Sequence, residues 1–164
     1  MCKVAIYPGS FDPFTKGHLN IIERGVRVFG QVVVAVAHNT SKKTMFTLQE
    51  RVDLLKEIFR GREDVRVDYF EGLLVDYAKK MGTNVVLRGM RTVSDFEYEL
   101  QMALANKTLS SELETVFMVT DSEFSHISSS VIREVVSLGG SAANMVPDTV
   151  ETKLREKLLK GRRN

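Results

Sequence analysis

The chain has 164 residues and is 43% hydrophobic, which is typical of one globular domain that buries its own core. Its 23 basic and 21 acidic residues nearly balance, and a formal charge of +2 argues against a surface dedicated to nucleic acid. We find no apolar run long enough to span a bilayer. The single cysteine, Cys2, excludes an internal disulfide and predicts a reducing, cytoplasmic environment. We therefore expect one domain over residues 1–164, with neither membrane nor nucleic acid as a partner.

The first predicted element is a buried strand over residues 4–7, which Pro8 and Gly9 should end. A polar loop follows, and helical spacing of apolar residues then predicts a helix up to residues 29–30. In an α/β protein this loop lies at the carboxyl end of the first strand, where ligands bind. Free N–H groups at the helix start favour an anion there. The polar residues placed at this site are Ser10, Asp12, Thr15 and His18.

The rest of the chain alternates strands and helices with short links. Further strands are predicted over residues 32–37, 65–70, 84–87 and 115–119, with 65–70 at an edge of the sheet. Helices are predicted from a capping box at 47–50 to 59–60, over 73–81 with Gly82 as its cap, from a second capping box at 94–97 to about 109, over 128–138, and over 147–160. This alternation predicts a Rossmann-like, doubly wound α/β fold, with a five-stranded parallel sheet and helices on both faces.

His18 is the strongest candidate for chemistry. An isolated histidine at a helix start is more often a capping or buried structural residue. This one follows a glycine, and its loop also holds Ser10 and Thr15. A neutral imidazole there could donate a hydrogen bond to a phosphoryl oxygen as charge builds on it.

Other clusters could bind phosphate. The lysines at 42–43 follow the second strand, although most loop lysines are merely solvated. Arg88 and Arg91 flank Gly89 just after the fourth strand, where guanidinium groups suit phosphate oxygens and glycine allows close approach. The serines at 128–130 open a helix, so they could serve as simple N-caps or as a phosphate cradle.

Several motifs together resemble those of a known family. Residues 9–13, Gly-Ser-Phe-Asp-Pro, and residues 15–18, Thr-Lys-Gly-His, are similar to the nucleotide-binding signature of the nucleotidyltransferase superfamily. Residues 127–130, Ile-Ser-Ser-Ser, fit its second motif. With residues 41–43, 88–91 and 95–99, the chain resembles the bacterial phosphopantetheine adenylyltransferases over nearly its whole length.

This resemblance implies that the adenylyl group of ATP is transferred to 4′-phosphopantetheine, giving dephospho-coenzyme A and pyrophosphate. It implies His18 as the catalytic residue, Mg²⁺ bound through the ATP phosphates with no metal site in the protein, and a homohexamer. It assigns the acceptor substrate to Ser10, Lys42, Leu74 and Arg88, with Lys42 favoured over Lys43. It assigns ATP to Ser10, Phe11, His18, Gly89, Met90, Arg91, Glu99, Phe124, Ser125, His126, Ile127, Ser128, Ser129 and Ser130.

Two alternatives to this function stay open. A sister nucleotidyltransferase would act on another phosphorylated acceptor, such as nicotinamide mononucleotide, and Lys42, Leu74 and Arg88 argue against it. A non-catalytic module that binds nucleotide or RNA would keep the fold without the reaction. The balanced charge and the presence of His18 argue against that second alternative.

Overall fold

The computed structural model describes residues 3–39 and 43–161, so Lys42 lies outside the described residues. Within these ranges the strands are β1 Lys3–Gly9, β2 Gly30–His38, β3 Val65–Glu71, β4 Val85–Met90 and β5 Glu114–Val119. The α-helices are α1 Lys16–Phe29, α2 Leu48–Ile58, α3 Leu74–Met81, α4 Val93–Leu109, α5 Ser129–Ser137 and α6 Asp148–Gly161. A short 3₁₀ turn, Ser122–Phe124, precedes α5.

The strands form one parallel sheet in the order β3-β2-β1-β4-β5. Strand β1 is central and pairs with β2 from Lys3↔Gly30 to Gly9↔Val36. The chain winds outward from β1 in both directions, so β3 lies at an edge, as predicted. The predicted five-stranded parallel fold is therefore confirmed. Its topological switch point lies between β1 and β4, where open α/β sheets form a ligand crevice.

Helices cover both faces of the sheet. Helices α1, α2, α5 and α6 pack on one face and bury the larger core, which includes Ile22, Leu55, Ile132 and Leu154. The smaller core on the other face joins strand residues to α3. Helix α4 lies beside β4, β5 and α3 but buries none of its own residues. In the part of the chain that the structure describes, no helix is both long and apolar enough to cross a membrane.

Strand β1 is longer than predicted. The prediction that Pro8 and Gly9 end it is wrong, because both residues pair in register with Ala35 and Val36 of β2. The carbonyl of Pro8 accepts a hydrogen bond from the Arg88 side chain, and proline is tolerated where no ladder N–H is needed. A Cβ on Gly9 would come within 2.9 Å of the Phe11 ring. Glycine therefore makes room for that ring and does not end the strand.

Strand β4 continues to Met90, so the prediction that it ends at residue 87 is also wrong. Arg88 and Gly89 pair with Phe117 and Met118 of β5. The apolar pattern marks only the buried part of the strand, whereas the pairing with β5 carries the backbone further. Arg88 and Gly89 therefore lie on a strand and not on a loop. They stand at the end of the sheet where the loop after β1 also lies.

Thr92, and not Ser94, caps α4. The Thr92 hydroxyl accepts a hydrogen bond from the backbone N–H of Asp95 at 3.2 Å, and the helix begins at Val93. The predicted capping box over residues 94–97 is therefore wrong. The same Thr92 hydroxyl lies 3.0 Å from the Ser94 hydroxyl. A Ser-x-x-Glu pattern and a Thr-x-x-Asp pattern overlap here, and sequence spacing alone does not choose between them.

Two other predicted helix ends are confirmed. At the start of α2, the Thr47 hydroxyl accepts from the N–H of Glu50 at 3.2 Å, and the Glu50 carboxylate accepts from the N–H of Thr47 at 2.7 Å. At the end of α3, Gly82 adopts a left-handed conformation with φ of 67°. Each of these ends depends on neighbouring residues only, which is why the sequence predicts them.

Candidate active site

A cavity of about 410 Å³ opens at the carboxyl ends of β1 and β4, at the topological switch point. Its walls come from the loop after β1, the start of α1, the end of β4 and the start of α5. Most of the residues assigned to ATP by resemblance line it. These are Ser10, Phe11, His18, Gly89, Arg91, Glu99, Ile127, Ser128, Ser129 and Ser130.

Arg88, assigned to the acceptor, also lines the cavity, and the other candidates differ in their positions. Leu74, assigned to the acceptor, is partly buried at the start of α3 and packs against the smaller core. Lys43 lines the cavity, whereas Lys42 is outside the described residues. Of the described residues assigned to ATP, those outside the cavity lining are Met90, Phe124, Ser125 and His126. All these assignments stay predictions.

The ring of His18 takes part in capping the N-terminus of α1. Thr15 is the N-cap, and its hydroxyl accepts from the N–H of His18 at 3.2 Å. In return, the N–H of Thr15 donates to Nδ1 of His18 at 3.0 Å, so histidine takes the place that glutamate holds in an ordinary capping box. Because Nδ1 accepts, the proton of the neutral ring lies on Nε2. His18 therefore offers an Nε2–H donor to the cavity.

The surroundings of His18 keep its ring neutral. Removal from bulk water, with smaller contributions from the positive charges of Arg91 and Arg88, lowers the pKa of His18 to about 3. The ring stacks on Phe14 at a centroid distance of 5.6 Å and meets Phe11 edge-on at 5.1 Å. At physiological pH the imidazole is a neutral hydrogen-bond donor in a rigid aromatic frame.

The loop between β1 and α1 turns sharply at Phe11. This residue has φ of 48°, a left-handed conformation that costs a non-glycine residue about 1–2 kcal/mol. The phenyl ring is buried beneath Gly9 and against His18. The turn thus places an aromatic ring under the loop, where it holds the backbone of the loop along the cavity.

Arg88 is held between two elements at the edge of the cavity. Its guanidinium forms a two-pronged ion pair with Glu99 of α4, in which Nε lies 2.6 Å from Oε2 and Nη2 contacts Oε1. Its Nη1 donates to the carbonyl of Pro8. Both charged side chains are largely buried, so this charge-assisted pairing fixes the guanidinium in place.

Arg91 joins β4 to the loop before α5. Its guanidinium pairs with Asp95 through Nε at 3.0 Å and Nη2 at 3.1 Å. Its Nη1 donates to the carbonyl of Ile127 at 2.8 Å. The two segments that the resemblance assigns to ATP are therefore connected by one side chain, which also lines the cavity.

The three serines at the start of α5 all have partners within the protein. Ser128 is the N-cap and accepts from the N–H of Val131 at 3.1 Å. Ser129 donates to the carbonyl of Pro13 at 2.8 Å, and Ser130 accepts from Arg133 at 3.1 Å. Capping therefore accounts for Ser128, while Ser129 fastens the helix start to the loop after β1.

Arg133 lines the cavity, and the sequence analysis did not single it out. Its Nη1 donates to the backbone carbonyl of Asp12, and its Nη2 reaches Ser130. Arg133 follows Ser129 and Ser130 at i+4 and i+3, so it shares a helix face with them. That spacing was the signal available in the sequence.

Asp12 is a buried anchor for the chain before α2. Its carboxylate accepts hydrogen bonds from the N–H groups of Met45 and Phe46, both at 2.8 Å. Only 3% of the residue is exposed. Arg51 of α2 is equally buried and donates to the carbonyls of Ser10 at 2.7 Å and Ala37 at 3.3 Å. The two residues lock the loops after β1 and β2 together.

The cavity suits an anionic ligand. It presents the neutral donor of His18, the guanidinium groups of Arg88, Arg91 and Arg133, and the start of α5. Donors of this kind bind phosphate oxygens. Over residues 3–39 and 43–161, no group of three or more His, Cys, Asp or Glu side chains could hold a metal ion.

Comparisons with known proteins identify the family of the chain. The cytidylyltransferase-like family model matches residues 6–135, which is more than half of the chain. A solved structure assigned to a nicotinate-nucleotide adenylyltransferase of Vibrio parahaemolyticus is similar, with a TM-score of 0.65 over 94% of this chain and 99% of that chain. The sequence identity of that pair is 17%, so the likeness shows a common fold.

Relatives with much higher sequence identity match nearly the whole chain. A phosphopantetheine adenylyltransferase of Caldanaerobacter subterraneus is 49% identical over 96% of this chain and 99% of its own length. A protein of the same name from Dictyoglomus thermophilum is 50% identical over 93% of this chain and 93% of its own length. Another, from Desulforudis audaxviator, is 51% identical over 94% of this chain and 95% of its own length. With half of all residues shared over nearly full length, the chain belongs to the phosphopantetheine adenylyltransferase family, within the cytidylyltransferase-like proteins.

Proposed function

We propose that this protein transfers the adenylyl group of ATP to 4′-phosphopantetheine and releases dephospho-coenzyme A and pyrophosphate. A phosphate oxygen of the acceptor forms a bond to the α-phosphorus of ATP, and the bond from that phosphorus to the pyrophosphate oxygen breaks. The attacking phosphate is already an anion, so no general base is needed. The observation that carries the proposal is the neutral Nε2–H donor of His18 in a cavity edged by Arg88 and Arg91.

In this reaction the role of His18 is electrostatic. Its Nε2–H donates to a non-bridging oxygen of the α-phosphate as the crowded transition state forms. The capping bond at Nδ1 holds the ring and its tautomer before substrate arrives, so little reorganisation is needed. A group already oriented for the transition state stabilises it more than a mobile one does.

On the acceptor side, we propose that Ser10, Lys42 and Arg88 hold the phosphate of 4′-phosphopantetheine. Arg88 is already oriented by Glu99, and Ser10 lies on the loop after β1, where Arg51 supports its carbonyl. Leu74 would contact the pantetheine arm where the acceptor extends past the cavity lining, toward the start of α3. Three groups that hold the phosphate would align its oxygen with the α-phosphorus.

On the donor side, we propose that Arg91 and the start of α5 hold the β- and γ-phosphates of ATP. Gly89, Met90, Glu99 and residues 124–127 would then frame the nucleoside. Mg²⁺ would be carried by the ATP phosphates, where it neutralises their charge, since the described residues offer it no cluster of ligands.

We also propose that the enzyme acts as a homohexamer in the cytoplasm. Helix α4 supports an assembly, because it buries no residue of its own and exposes several large apolar side chains. The number six comes from the family resemblance. The single cysteine is consistent with a reducing compartment.

A pyrophosphate-release assay tests this function. Wild type receives ATP and Mg²⁺ with 4′-phosphopantetheine, nicotinamide mononucleotide or glycerol 3-phosphate as the acceptor. We expect turnover with the first acceptor, and a preference for either of the others would refute the substrate assignment. Arg88→Ala should raise KM for the acceptor and lower kcat together, because a misplaced nucleophile loses alignment as well as affinity. Arg66→Ala, which removes an exposed arginine of β3, is the matched control.

A further inference from the structure

The hydroxyl of Tyr7 reaches the cavity and has no role in the reaction described so far. Tyr7 lies on the central strand β1, is 5% exposed and lines the cavity. Among the described residues, its hydroxyl has no hydrogen-bond partner. The hydroxyl oxygen is not fully enclosed by protein atoms, so a hydrogen-bond partner can reach it from the cavity. A buried polar group left without a partner destabilises the folded state, so a ligand atom that pairs with it is favoured.

The position of this hydroxyl is set by rigid neighbours. The Tyr7 ring meets the Phe11 ring edge-on at 5.6 Å, and its centroid lies 6.4 Å from that of His18. The hydroxyl oxygen lies 3.3 Å from the point where a Cβ on Gly89 would stand. The absence of a side chain at Gly89 therefore leaves this oxygen accessible, between β4 and the start of α1.

The charges around Tyr7 favour a neutral donor facing an anion. Burial raises the pKa of the Tyr7 hydroxyl well above its usual value, and the negative charge of Glu99 adds to this. The guanidinium groups of Arg88 and Arg91 act in the opposite direction and are outweighed. The phenol therefore keeps its proton, and its two nearest cations make the space in front of it favourable for phosphate oxygens.

We propose that the Tyr7 hydroxyl donates a hydrogen bond to a non-bridging oxygen of the phosphoryl group that is transferred, beside the Nε2–H of His18. The inference rests on the proposed adenylyl transfer. The bond that forms joins the acceptor oxygen to the α-phosphorus, and the bond that breaks releases pyrophosphate with its electron pair. The tyrosine proton stays on its oxygen throughout. Tyr7 and His18 then hold the oxygens of one phosphoryl group from the same side of the cavity.

The direct test compares Tyr7→Phe with Tyr77→Phe. Each variant loses one hydroxyl and keeps its ring, but Tyr77 lies on the other face of the sheet and donates to Asp68 at 3.0 Å. We expect Tyr7→Phe to lower kcat by roughly 10-fold to 100-fold while KM for ATP stays within about threefold. Tyr77→Phe should keep the wild-type kcat. A Tyr7→Phe variant with kcat within about twofold of wild type would overturn the proposal.

A second measurement identifies the substrate atom. In two diastereomers of ATP, sulfur replaces one or the other non-bridging oxygen of the α-phosphate and accepts hydrogen bonds poorly. One diastereomer should lower the kcat of wild type, relative to unmodified ATP, more than it lowers the kcat of Tyr7→Phe. The reason is that sulfur weakens the hydrogen bond from the Tyr7 hydroxyl, and the variant does not make this bond. Equal slowing of both proteins by both diastereomers would overturn direct contact. A wild type that fails with unmodified ATP and 4′-phosphopantetheine would instead refute the proposed function, and with it this inference.

Discussion

The two ring nitrogens of His18 have separate tasks. Nδ1 accepts from the N–H of Thr15 and belongs to the cap of α1, whereas Nε2–H is the donor that we propose for catalysis. A histidine that caps a helix and a histidine that stabilises a phosphoryl group are therefore not alternatives in this protein. Substitutions that keep one task and remove the other should separate them.

Glutamine at position 18 should preserve the cap and replace the rigidly held Nε2–H with a flexible amide donor. Glutamine is a regular partner at this position of a capping box, so His18→Gln should unfold at nearly the wild-type urea midpoint. His18→Ala leaves the Thr15 N–H unpaired and should cost about 1 kcal/mol of stability. His18→Ala should lower kcat by about 10²–10³ in the pyrophosphate-release assay, and His18→Gln should lower it less, because its amide still carries an N–H donor. Near-normal turnover in His18→Ala would show that His18 takes no part in the chemistry.

The lowered pKa of His18 also predicts how stability depends on pH. The unfolded chain binds a proton at this histidine below about pH 6.5, whereas the folded ring, with a pKa of about 3, does not. The unfolded state then holds more protons, so stability is complete above pH 6.5 and declines as the pH falls toward 3. Urea unfolding at pH 7 and pH 5 should show wild type losing about 2 kcal/mol more than His18→Gln. Equal losses in the two proteins would contradict the neutral, desolvated ring.

At the scale of elements, α4 orients the arginines of the cavity. Its first two turns carry Asp95 and Glu99, which pair with Arg91 and Arg88 at the end of β4. The helix buries no residue of its own, and its start is held by these ion pairs, by its N-cap and by the edge-on contact of Phe96 with Phe117 of β5. The cap therefore bears on the geometry of the site as well as on stability.

Alanine substitutions at Thr92 and Ser94 test which of the two hydroxyls caps α4. Thr92→Ala should destabilise the protein by about 1 kcal/mol, because the N–H of Asp95 loses its acceptor. Ser94→Ala removes only a hydroxyl contact with Thr92 and should change the free energy of unfolding by less than about 0.5 kcal/mol. Thermal or urea unfolding of the two variants gives the ranking. A larger loss of stability in Ser94→Ala than in Thr92→Ala would contradict the assignment of Thr92 as the N-cap of α4.

At the scale of the molecule, α4 and β5 expose large apolar side chains. We refer to those that are more than half exposed together as the apolar surface of α4 and β5. The residues of this surface are Val93, Tyr98, Leu104, Leu109 and Val119. A surface of this kind on a folded domain is typical of a contact between chains.

Light scattering tests the proposed hexamer. Wild type at micromolar concentration should have roughly six times the 18.5 kDa mass of one chain. Leu104→Glu places a charge on the apolar surface of α4 and β5 and should lower that mass. Leu138→Glu, at the end of α5, changes a leucine that is even more exposed but lies away from that surface, and it should leave the mass unchanged. A stable wild-type monomer would refute the assembly.

Local patterns in the sequence determined the order of elements and the fold. Alternating buried strands and amphipathic helices require a parallel sheet, because each short crossover returns the chain to the same edge. The cap of α2 and the left-handed Gly82 depend on residues within one turn, so they too were readable. The loop motif around His18 was readable for the same reason, since its spacing places the histidine at the start of α1.

Only the tertiary structure decided where the strands end and what holds the cavity. Arg88 counts as part of β4 because β5 continues beside it, and its partner Glu99 comes from a different element. The sequence placed Asp12 at the site but did not indicate its partners, and Arg51 and Arg133 resemble ordinary polar surface residues. Each of the three bonds backbone groups of the loops around the site. These bonds join segments from about 30 to over 100 residues apart, and contacts at such separations leave no periodicity in the sequence to be read.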